Sequence, residues 1–65
     1  MNQFEYMHRA HKALAMFAFH LDMKVISLTI EAGSIEICGF VGDCSCARTY
    51  TFSSLASLES QAYGF

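Results

Sequence analysis

The sequence predicts a small α+β domain of order αβββα, a long N-terminal helix packed on a three-stranded antiparallel β-meander with a short helix at the end. Three observations carry that reading. Apolar residues recur with a helical period from residue 3 to residue 21, the period changes to two at Lys24, and Gly-containing turns then divide the chain into strands.

Asn2 followed three residues later by Glu5 resembles a capping box with Asn as the cap, and no Gly or Pro interrupts the run that follows. At about 100° per residue, Tyr6, Met7, Ala10, Ala13, Leu14, Phe17, Ala18 and Leu21 share one broad arc, with Phe4 and Ala15 at its edge. The opposite arc carries Glu5, His8, Arg9, Lys12 and His20, and Glu5 precedes Arg9 by the four residues that favour an exposed ion pair. Met16 and Phe19 also fall on this polar side, where apolar side chains do not belong.

From Lys24 the alternation of Ile26, Leu28 and Ile30 with Val25, Ser27, Thr29 and Glu31 describes a half-buried strand. A tight turn at Ala32-Gly33 sets Ile30 opposite Ile35, Leu28 opposite Ile37 and Ile26 opposite Gly39, so both strands send aliphatic side chains to one face. The other face pairs Thr29 with Glu36, Ser27 with Cys38 and Val25 with Phe40. The expected core centres on Leu14, Phe17, Ile26, Leu28, Ile30, Ile35 and Ile37.

Gly42-Asp43 marks a second turn, and residues 46–52, rich in β-formers, read as the third strand. Its register depends on the turn. A two-residue turn directs Arg48 and Tyr50 into the aliphatic face. A three-residue turn puts Ala47, Thr49 and Thr51 inside and Arg48, Tyr50 and Phe52 outside. The longer turn is preferred, because it avoids burying an unpaired guanidinium and brings Arg48 near Glu36. Ser53 or Ser54 then caps a helix over residues 55–62 with Leu55, Leu58 and Ala62 on one side, and Gly64 ends it.

The chain has 65 residues, 54% hydrophobic and only 15% charged, whereas soluble domains carry about 25% charged residues. So small a protein buries only about 60% of the surface its unfolded chain exposes, so too many apolar side chains compete for too little interior. The composition excludes a multidomain enzyme and disfavours disorder.

The formal net charge of −2 denies the molecule a general electrostatic grip on phosphate backbones and argues against nucleic acid. Residues 1–24 sum to +1 and residues 25–65 to −3, with all three histidines in the first part. Three cysteines do not all pair within one chain, so a reducing cytoplasm is expected. Neither a signal peptide nor a transmembrane span is expected, and the chain, which opens on Met, is read as a complete gene product.

Catalysis has little to stand on. No Gly-x-Ser-x-Gly elbow or phosphate-cradling loop is present, and nothing fixes an orienting carboxylate beside the cysteines. The sharpest chemical alternative is a metal- or redox-responsive site on Cys38, Cys44 and Cys46, completed by a histidine such as His11, although Cys-x-Cys in a strand spreads its thiols too widely for one zinc ion. No cofactor is expected.

What remains is misplaced apolar surface. The sequence points to a non-enzymatic cytoplasmic protein-interaction module, a homo-oligomer such as a homodimer or a stoichiometric binder of a larger protein. Inhibitors encoded by phages and mobile elements are of this size. Candidate contacts are Arg9, Lys12, Met16 and Phe19 on the helix and Phe40, Arg48, Tyr50 and Phe52 on the outer sheet face, since aromatics, Met and Arg are enriched at interfaces.

Overall fold

The computed structural model describes residues 2–31, 33–43 and 45–64. The elements are α1 (Gln3–His20), β1 (Met23–Glu31), β2 (Ser34–Val41), β3 (Ala47–Phe52) and α2 (Leu55–Tyr63). The order αβββα is the expected one. The strands form one antiparallel sheet in the order β1-β2-β3, and both helices pack over the same face of it.

α1 opens where Asn2 caps it: the Asn2 side-chain oxygen accepts the Glu5 N–H at 2.8 Å. It closes with the Leu21 N–H on the Phe17 carbonyl and the Asp22 N–H on the Phe19 carbonyl, each at 3.2 Å. Asp22 takes a left-handed conformation (φ 52°), which turns the chain into β1 at once. α2 starts similarly, with the Ser54 hydroxyl oxygen accepting the Ser57 N–H at 3.1 Å.

Ala10, Ala13, Leu14, Phe17 and Ala18 are the buried face of α1, so the predicted arc holds except at its N-terminal end, where Phe4 and Met7 are exposed, and at its edge, where Ala15 is exposed. Small residues at Ala10, Ala13 and Ala62 let α2 lie close beside α1, and helix spacing depends on side-chain size in this way. Leu55, Leu58 and Ala62 of α2 complete the core around Ile35 and Ile37 of β2.

Two expectations about register are corrected. β1 and β2 pair as expected from Ile30↔Ile35 through Ser27↔Cys38, but the register then shifts, giving Val25↔Gly39, Lys24↔Phe40 and Met23↔Val41. Ile26 is therefore the extra residue of a bulge and does not face Gly39. A Cβ on residue 39 would run into the Lys24 carbonyl oxygen and the Met23 side chain, so this close approach requires glycine.

The second correction concerns β3, which adopts the shorter-turn register: Ile35↔Phe52, Ile37↔Tyr50 and Gly39↔Arg48. Tyr50 and Phe52 thus face the core, and Glu36 lies opposite Thr51, away from Arg48. Both aromatic rings meet Phe17 edge-to-face, with centroids 5.2 and 5.1 Å away. The feared burial of Arg48 does not arise, because it sits opposite Gly39 near the end of the strand and is exposed.

The core is correspondingly displaced toward β2, β3 and α2. Ile26 and Leu28, expected inside, are 55% and 39% exposed. Ile30 is only partly buried.

Candidate functional site

Met16 and Phe19 stand about 200° and 140° around α1 from the buried Leu14, so helical geometry alone turns them away from the sheet. Phe19 is 77% exposed and Met16 37%. With Lys12 and Ala15 they line a shallow, mostly apolar depression of about 390 Å³. The Phe19 ring rests edge-on to His20, centroids 5.8 Å apart. The C-terminal helix, which had the length to fold over this patch, lies elsewhere and leaves Phe19 open.

Arg9 is held differently from the other helix candidates. Its guanidinium forms a bidentate pair with Glu59 of α2, Nε donating to Oε2 at 3.1 Å and Nη2 to Oε1. The hydrogen bonding to the Glu59 carboxylate is the main reason the guanidinium pKa is raised above its ordinary value, with Glu5 among the minor charge contributions. Arg9 thus fastens α1 to α2, and Glu5 is a secondary neighbour.

The sheet candidates do not form one patch. Phe40 is half-buried on the outer face between Lys24 and Ala47, and Arg48 is exposed on the opposite face. Tyr50 packs against the core, and Phe52 is only 6% exposed. The outer face is instead mostly polar, carrying Ser27, Thr29, Glu36, Cys38, Thr49 and Thr51 with Phe40 at one end.

Among the described residues the thiols of Cys38 and Cys46 are not gathered with a histidine. Cys38 is half-buried on the outer face opposite Thr49, and Cys46 is exposed just before β3, three residues along that strand or roughly 10 Å away. His11 belongs to α1, on the other side of the sheet. Cys44 lies outside the described residues, among which no group of three His, Cys, Asp or Glu is placed to hold a metal ion.

Sequence reasoning missed the β1 flank. Val25, Ile26 and Leu28 are exposed there, as is Met7 beside the cleft that α1 forms with β1. A cleft of about 570 Å³ opens between α1 and β1, lined in part by Tyr6, Met7, Ile30 and Glu31, with the Tyr6 hydroxyl donating to the Glu31 carbonyl at 3.2 Å. The signal that points here is Gly39, since an isolated glycine in a strand pattern marks a bulge or a close backbone approach. Among the described residues no helix is long and apolar enough to cross a membrane. Comparison with protein-family models, curated proteins and solved structures finds no match for this chain.

Proposed function

We propose that this chain is a non-enzymatic protein-interaction module of the cytoplasm, a small stoichiometric binder or inhibitor of a larger protein, comparable in kind to the inhibitors of phages and mobile elements. It docks through the outward arc of α1. The observation that carries this reading is Phe19, a large aromatic side chain 77% exposed beside Met16 on an otherwise polar helix face.

Burying one such side chain contributes roughly 1.5–3 kcal/mol, and aromatic and Met side chains at the centre of a patch are the usual anchors of an interface. Lys12 at the rim favours a partner with an acidic margin to its apolar groove. Arg9, engaged with Glu59, supports the patch by fixing α1 against α2.

Capture from a lysate of the native cells on immobilised protein tests this, comparing wild type with Phe19→Asp. Wild type is expected to retain one protein in stoichiometric amount. Phe19→Asp is expected to keep a native circular dichroism spectrum and to lose that protein. Equal capture by both, or unfolding of the variant, would overturn the reading, the second because it would return Phe19 to the core.

A further inference from the structure

We infer that β1 is a self-association edge, pairing antiparallel with β1 of a second copy to join two meanders into one six-stranded sheet with all four helices on the same face. The edge is open: among the described residues β1 pairs with one strand, β2, and its other side has no strand neighbour. Residues 25–30 contain neither charge nor proline, the devices by which edge strands normally avoid pairing.

The occupant is identified by the strand's own pattern. With the bulged Ile26 set aside, β1 reads Lys24, Val25, Ser27, Leu28, Thr29, Ile30, Glu31, and it is self-complementary about Leu28. Leu28 meets Leu28 of the second copy, Ser27 meets Thr29, Val25 meets Ile30, and Lys24 meets Glu31. Every match also respects the faces of the sheet: Val25, Leu28 and Ile30 share the helix side, while Lys24, Ser27, Thr29 and Glu31 share the outer side. Without the bulge Lys24 would lie opposite residue 32 and Val25 opposite Glu31, and both charge and face would mismatch.

Main-chain direction agrees. Antiparallel ladders alternate inward and outward groups. The Gly42 N–H bonds the Asp22 carbonyl at 3.0 Å, so alternation turns residue 24 toward β2 and residue 25 outward. At the other end Glu31 and Ser34 close a two-residue turn, which turns residues 29 and 27 inward and residues 30 and 28 outward. The outward residues are the ones the symmetric register joins. Lys24 and Glu31 are both exposed, so their charges lie at the surface of the edge. A stable interface removes about 800 Å² per partner. Met7 of α1, exposed and bordering the cleft shared with Ile30, adds apolar surface beside this edge.

This surface is separate from the Met16–Phe19 patch, so either reading can fail alone. Light scattering on the full chain tests it. Wild type is expected to reach twice its 7.2 kDa mass as concentration rises. Lys24→Glu and Glu31→Lys each set two like-charge pairs at the two-fold interface and are expected to weaken self-association roughly tenfold. Mixing the two single variants restores both unlike pairs, so the mixture is expected to form a heterodimer that neither forms alone. The double variant K24E/E31K restores the homodimer and serves if a single variant fails to fold. A monomer at every concentration, single variants that dimerise like wild type, or no recovery in either the mixture or the double variant would overturn the inference.

Discussion

A methyl group at Gly39 has nowhere to go, because the bulge at Ile26 has brought the Lys24 carbonyl over its α-carbon. Gly39→Ala is expected to cost about 1–3 kcal/mol by the overpacking it forces, read as a lower urea midpoint. A shift equivalent to less than about 0.5 kcal/mol, typical of neutral surface changes, would mean that the bulge relaxes freely. Phe52 is the other decisive residue. Packed edge-to-face on Phe17, it is expected to cost about 3–5 kcal/mol when truncated to Ala, while Thr51→Ala on the outer face stays within about 0.5 kcal/mol. The reverse ranking would reinstate the longer turn before β3. These residues show why the register escaped the sequence. Weighing a buried arginine against two exposed aromatics required knowing that Arg48 faces Gly39 near the strand's end, where its guanidinium reaches water.

At the scale of elements, helices and caps were legible because their signals are local. Asn2, Ser54 and the apolar arc of α1 all act within a few residues of one another. The outward position of Met16 and Phe19 was legible for the same reason, since the helical period fixes it without any tertiary knowledge. The β1 flank was not, because its exposure follows from two helices sharing one layer and covering β2 and β3 better than β1. The tie between those helices is Arg9–Glu59, whose side chains are 48% and 22% exposed. A double-mutant cycle with Arg9→Ala and Glu59→Ala is expected to give a small favourable coupling, as for exposed pairs generally, that shrinks with added salt. Because the arginine pKa is raised, its contribution is complete below the ordinary arginine range and lost only as pH rises above it. Varying the pH around neutrality therefore leaves the guanidinium's share unchanged. A coupling near zero at low salt would mean that the pair is ornamental and that Ala10, Ala13, Leu58 and Ala62 alone seat α2.

The whole molecule exposes about 4300 Å², close to the roughly 4100 Å² expected for its mass, so its compositional excess of apolar residues is not hidden by unusual compactness. It is displayed at the outward arc of α1 and along the β1 edge. If the two surfaces act as proposed, a β1-paired dimer carries two α1 patches and binds its target as a bivalent unit, raising avidity without any new contact. The central claim is that this chain works by being bound. The most direct test is the native mass of the complex recovered from its own cells. The account predicts a fixed whole number of 7.2 kDa chains per foreign protein, with that species absent when Phe19 is Asp. Recovery of the chain with no stoichiometric companion, or a complex that survives Phe19→Asp unchanged, would contradict it.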